Sequence, residues 1–129
     1  MSIPVAIADL AAAVAEFGAG YLLTASTDGK VKVVTVEPEV RDRALVITGP
    51  SRGSAANIAA NPQVTVVFPP AQPRGYTLLV DGQATLDGDD CVVTPSAAVL
   101  HRPAAHEDGP PAPAFAGDKT GCGNDCRPV

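Results

Sequence analysis

The sequence predicts a small, mostly antiparallel β-barrel with short helices, assembled as a homodimer. Three observations carry that prediction. Valine-rich runs recur between turn signals from Tyr21 to Thr94. Several of these runs are apolar on both faces: Val33, Val34 and Val36 in one, Val66, Val67 and Phe68 in another, Leu78, Leu79 and Val80 in a third. A sheet with one wetted face alternates apolar and polar residues, so these strands need cover on both sides. Barrel closure covers one side, and a helix or a second subunit covers the other. Finally, 46% of the 129 residues are apolar, but 22 are Ala and 16 Val, against 5 Phe plus Tyr and no Trp. Such an inventory fills one small core more readily than a large isolated one.

In chain order, residues 4–17 read as a helix. Pro4 suits a first helical position, and Ile7, Leu10, Ala11, Val14 and Phe17 recur along one face, with Gly18 and Gly20 as its end. Tyr21–Ser26 and Val31–Val36 read as two strands joined by the Asp28-Gly29 turn signal. Arg43–Thr48 is a third strand, stopped by Gly49-Pro50. Ser51 then caps a short helix rich in alanine that stops at Asn61-Pro62. Val64–Phe68, Tyr76–Leu86 and a short Cys91–Thr94 complete the strands. After His101 the chain changes character, with 5 of the 13 prolines and 4 of the 12 glycines in the last 28 residues. This divides it into a barrel domain, 1–101, and a Pro/Gly-rich tail, 102–129, either loose or laid along the barrel.

Charge and composition exclude several functions. A net charge of −5 without a basic cluster argues against nucleic acid and anionic membrane as partners. No apolar stretch is long enough to span a bilayer, and the first basic residue is Lys30, so no secretory leader is expected and the default compartment is the cytoplasm. Phosphate-binding Gly-rich loops, nucleophile elbows and His-Glu-x-x-His helices are all missing from the sequence.

The strongest chemical signal runs from Thr48 to Pro62. A helix N-terminus offers unpaired N–H groups and a partial positive charge, which together accept an anion. Ser51 and Ser54 add hydroxyls, and Arg52 adds a planar cation in a chain with only nine basic residues. Arg52 opposes the helix dipole, so either an anion sits there or the side chain points to solvent and Ser51 is simply a cap. Lys32 is open to both a solvated and a ligand-facing reading, Thr48 to a strand-end reading, and Asn57 to that of a polar helix position.

The order of these pieces resembles the pyridoxamine-phosphate-oxidase-like family of flavin-binding split β-barrels, over about residues 5–101. The matching pieces are Asp28-Gly29-Lys30-Val31-Lys32-Val33-Val34-Thr35-Val36, Val46-Ile47-Thr48-Gly49-Pro50-Ser51-Arg52-Gly53, Asn57 through Asn61-Pro62, and Tyr76-Thr77-Leu78-Leu79-Val80-Asp81-Gly82-Gln83-Ala84. The resemblance implies a homodimer that holds FMN, or a related deazaflavin coenzyme, between its subunits and acts as an oxidoreductase on a small-molecule substrate. It implies that Lys32, Val33 and Val34 lie near the ring or ribityl chain, and that Ser51 and Arg52 grip the phosphate with Thr48 and Asn57 nearby. Gly53 stands where the family's Ser-Arg-Lys motif has lysine. Thr77 and Leu79 stand where the pyridoxamine phosphate oxidases themselves carry Gln and Arg, which argues against that particular substrate. No catalytic side chain is singled out, because the cofactor would carry the chemistry. The alternatives are a carrier that binds the cofactor without turnover and senses redox state or metal through its tail, and a barrel that serves only as a scaffold.

Cys122 and Cys126, with His101, His106 and Cys91 upstream, form a second grouping. A single pair at that spacing makes a poor zinc signature, so no metal site is assigned. A labile disulfide, adventitious metal and idle thiols all stay open for the pair, while Cys91 reads as core. His101 and Arg102, where barrel meets tail, are read as surface residues or substrate contacts.

Overall fold

In a computed structural model, which describes residues 2–113 and Phe115, the chain forms eight strands and two α-helices. In order these are β1 (Ser2–Pro4), α1 (Leu10–Ala15), β2 (Gly20–Ala25), β3 (Val31–Val36), β4 (Glu39–Arg41), β5 (Ala44–Thr48), α2 (Arg52–Ala60), β6 (Gln63–Phe68), β7 (Thr77–Asp87) and β8 (Asp90–His101). All strand pairs are antiparallel, in the order β3-β2-β6-β7-β8-β5-β4, with β1 also on β8.

The long β7–β8 hairpin is the spine. One edge of β7 carries β6, while the free edge of β8 is shared: β5 pairs with its first half (Leu45↔Val93 to Thr48↔Asp90) and β1 with its last residues (Ser2↔His101). The pairing of β7 with β8 slips by a residue between Asp81 and Gly82, a bulge that bends both strands. The sheet curls so that Val34–Glu37, at the end of β3, and Ile47–Ser51, at the end of β5 beyond its pairing with β4, line a single cavity. No ladder joins β3 to β5 among the described residues. The result is a split β-barrel.

Inward residues alternate strictly in the middle strands. Leu22, Val66, Phe68, Leu78, Val80 and Leu100 are completely buried, and α1 adds Leu10 and Ala13 while α2 adds Ile58. Several expectations need correction. The first helix is one and a half turns plus a 3-10 turn at Ile7–Asp9, not residues 4–17; Ala13, not Ala11, faces the core, and Pro4 belongs to a strand. The strand expected to end at Thr94 continues to His101. Among the described residues no helix is long and apolar enough to cross a membrane.

Residues 102–113 lie against the barrel rather than away from it. Arg102 is buried at its root, and a 3-10 turn spans Ala104–His106. Cys122 and Cys126 fall outside the described residues, and Cys91 is buried as a free thiol whose pKa burial pushes up.

The bulge depends on Gly82, where an added Cβ would collide with the Thr94 carbonyl and stand 2.9 Å from a Val93 methyl. Gly82→Ala is therefore expected to destabilise the protein by about 1–3 kcal/mol, as overpacking against backbone does, seen as a lower urea midpoint. An unchanged midpoint would mean that the bulge yields freely.

Candidate functional site

The cavity between the ends of β3 and β5 measures about 480 Å³ and is lined by Val34, Thr35, Val36, Glu37, Ile47, Thr48, Gly49, Pro50 and Ser51. The local sequence builds it. Gly49 adopts φ +61, a conformation that suits glycine, and its N–H donates to the Asp89 carbonyl at 3.1 Å. That turn swings Pro50 and Ser51 off the end of β5 and starts α2 at the cavity wall.

Ser51 is the N-cap: its Oγ accepts from the Ser54 N–H at 3.1 Å and donates to Ser54 Oγ at 2.9 Å. Ser54 is fully buried. The Ala55 N–H donates to the Ser51 carbonyl. The N–H groups of Arg52 and Gly53 have no acceptor within the helix, as its geometry requires, and remain for a ligand.

Two cations stand at this helix start, and neither is among the residues that line the cavity. Arg52 is its first residue and is exposed. Lys32, on β3, runs its stem across Gly53: a Cβ at position 53 would stand 2.6 Å from Lys32 Cε and 3.1 Å from its Nζ. Glycine at 53 thus gives the Lys32 ammonium access to the helix terminus. Neither cation makes an ion pair among the described residues, whereas Arg41 and Arg74 are paired with Glu39 and Asp108. A positive charge beside the positive end of a helix dipole is repelled by it, and an anion there relieves the repulsion.

The other expected residues divide. Val34, Thr48 and Ser51 line the cavity. Asn57 lies one and a half turns along α2 and donates from Nδ2 to Thr24 Oγ1 at 3.0 Å, fastening the helix to β2; Thr24 is 1% exposed, so this bond is internal. Val33 points the other way, pairing with Leu23 on the outer face, and is 53% exposed. Thr35, Glu37 and Gly49 line the cavity without having been singled out. The expected end of β3 at Val36 left Glu37 just beyond a strand, but nothing local revealed that β5 would face it.

No protein-family model matches the chain. Uncharacterized proteins from Mycobacterium bovis and Mycobacterium tuberculosis are each 38% identical to it over 133 residues, covering 91% of this chain and 89% of theirs. Among solved structures, the chain is similar to an FAD-binding protein from Mesorhizobium loti (TM-score 0.60, 16% identity, 78% of this chain and 96% of that one). It is similar also to a Listeria innocua protein assigned as a pyridoxamine 5'-phosphate oxidase (TM-score 0.59, 14% identity, 73% and 96%). An F420 reductase aligns as well (TM-score 0.54, 21% identity, 67% and 93%). At these identities the solved structures establish the fold.

The Gly53 contact makes a prediction with two opposite signs. Gly53→Ala should raise stability by roughly 0.5–1 kcal/mol, because glycine is a poor helix former and the displaced atoms are the movable end of Lys32. The same change should weaken the binding of phosphate-bearing ligands by pushing the ammonium aside. Thermal unfolding and ligand titration on one variant check both signs.

Proposed function

The chain belongs to the same family as the two mycobacterial proteins and has the split-barrel fold of the pyridoxamine 5'-phosphate oxidase-like proteins, and on that footing we propose that it binds FMN in the cleft between β3 and β5. We further propose that it works in the cytoplasm as a homodimeric oxidoreductase on a small-molecule substrate. The observation that carries this reading is the Lys32 side chain laid over Gly53 at the capped start of α2, whose first residue is Arg52, neither cation being ion-paired among the described residues.

The donor set suits a phosphate monoester. Arg52 offers a forked guanidinium, Lys32 a compact ammonium, Ser51 a hydroxyl, and the first turn its spare N–H groups. Val34 and Thr48 offer one apolar and one hydroxyl wall to the rest of the ligand. Glu37 can accept from a hydroxyl or ring N–H at the far side, and its charge keeps the phosphate at the α2 end. Asn57 is a positioning residue, since its bond to Thr24 sets the helix against β2. Bound flavin would supply hydride and electron transfer, which the residues lining this cavity do not themselves provide. The same phosphate donors suit a deazaflavin coenzyme, so both belong in the titration.

The homodimer rests on the outer sheet face. Tyr21 is 42% exposed, Val33 53% and Val31 64%, and the register sets them beside Leu23, Val67 and Leu79. A second copy would cover this strip, and it is here that Val33 would act. Light scattering at micromolar concentration should give twice the chain mass, with Tyr21→Asp shifting it toward one.

Titration of purified protein with FMN, followed by flavin fluorescence, tests the cofactor. A charge-assisted hydrogen bond contributes about 1.5–3 kcal/mol, so Arg52→Ala should weaken affinity by roughly 10- to 100-fold. An unchanged dissociation constant would place the phosphate elsewhere. Binding without oxidation of a reduced nicotinamide or reduction of any acceptor would make the protein a carrier.

A further inference from the structure

We propose that the protein carries a second binding site, a cavity of about 320 Å³ roofed by residues 110–113, latched by Arg102, and suited to a small planar apolar molecule bearing an amine. Its walls are Phe17, Tyr76, Leu100 and the roof prolines Pro110, Pro111 and Pro113, with Glu16 and Gln72 at the rim. It shares no lining residue with the cavity between β3 and β5.

The roof is held by an arginine in an unusual position. Arg102 is 3% exposed, and no carboxylate pairs with it among the described residues. Its Nη1 donates to the carbonyls of Pro110 at 2.7 Å and Arg74 at 3.3 Å, and Nη2 to that of Glu107 at 3.4 Å. Its guanidinium lies over the Tyr76 ring, 4.0 Å from the centroid, and Nε is buried without a hydrogen-bond partner among the described residues. Burying a charge on carbonyls and a ring face is costly, and here it ties three separate backbone positions together. Outside the latch, Arg74 Nε donates to Asp108 at 2.7 Å and Nη2 to the Ala105 carbonyl. That hydrogen bond holds the Asp108 carboxyl below its usual pKa, so the outer clasp persists from neutral pH down and opens only as acid protonates the carboxylate. Gly109 completes the fit, since a side chain there would strike the Arg74 carbonyl.

A roof fixed in advance leaves the cavity preformed, which lowers the cost of filling it. Its chemistry selects the occupant. Two aromatic rings, a leucine and three prolines favour a flat apolar body. No cation lines the cavity, because the guanidinium behind Tyr76 is committed to carbonyls. Glu16 makes no ion pair among the described residues, and the protein's net charge is −5. The site therefore favours an ammonium over a carboxylate or phosphate.

Tryptamine and indole-3-acetate, which share a ring and differ in charge, serve as probes in ligand-observed saturation-transfer NMR near neutral pH. Tryptamine should bind, with indole-3-acetate weaker by about five-fold or more, the scale of one exposed charge pair. Ala112→Trp, which fills the cavity, should abolish tryptamine binding and leave FMN titration unchanged. Arg102→Lys, which cannot serve all three carbonyls, should weaken tryptamine binding and speed amide exchange over residues 103–110. The proposal is overturned if tryptamine fails to bind, if indole-3-acetate binds equally well, or if Ala112→Trp retains binding. Should Arg102→Lys not fold, the Ala112→Trp result decides alone.

Discussion

The missing hydrogen-bond ladder between β3 and β5 is the constraint on which everything else depends. β5 carries β8 on one edge and β4 on the other over Ala44–Val46, so Ile47 and Thr48 run past β4 and face β3 without a partner strand. From there the chain leaves β5 at Gly49, crosses by α2, and re-enters at β6 on the far side of the β7–β8 hairpin. The helix must lie across the barrel, with Ser54 and Ile58 buried beneath it, and its first turn falls at the split. A cavity bounded by two strand edges and a helix N-terminus follows from the connectivity before any side chain is specified.

Side chains then give that cavity its sign. Of the basic residues in the described part of the chain, Arg41 and Arg74 are neutralised by carboxylates and Arg102 is buried on carbonyls. In an acidic protein the cations left at the split are conspicuous. Lys32 comes from β3 and Arg52 from the first turn of α2, so one helix start draws its cations from two separate elements. Gly53 is what lets the Lys32 stem cross it. A lysine on the helix at that position and a lysine on the strand would compete for the same space, which gives a physical reason why this chain departs from the Ser-Arg-Lys pattern at its third residue.

Much of this was legible in the sequence, and the exceptions have identifiable causes. Strands β2, β3, β5, β6 and β7 and helix α2 lie where valine runs and the Ser51 cap put them, within a residue or so. β8 read as a short Cys91–Thr94, whereas the strand runs on through Pro95. That proline lies opposite Gly82 at the bulge, where the ladder is already irregular and a missing N–H costs little. β4 was invisible because its hairpin turns on Asp42 and Arg43, at φ 50 and 65, where glycine or asparagine usually marks such a turn. Pro4 read as a helix start because the edge of β8 that it joins lies nearly a hundred residues away. Lys32, Ser51 and Arg52 were legible as candidates, but the course of Lys32 over Gly53 was not, since it depends on how β3 packs beside α2, which no local pattern encodes.

The same reasoning bears on the segment after β8. Read as composition, its prolines and glycines exclude regular structure and leave its path open. Its course over residues 103–110 is set instead by long side chains, the first at its root. Arg102 follows directly on the outward-facing His101, so strand alternation turns it inward, beside Tyr76 at the start of β7. A guanidinium buried there must find acceptors, and without a carboxylate it takes the carbonyls of whatever chain can reach it. Two of those carbonyls, of Glu107 and Pro110, come from this segment and the third, of Arg74, from the loop before β7. A segment whose composition forbids long helix and strand thus takes its path from a buried guanidinium on its inner side and from the Arg74 clasp on Asp108 and Ala105 outside it.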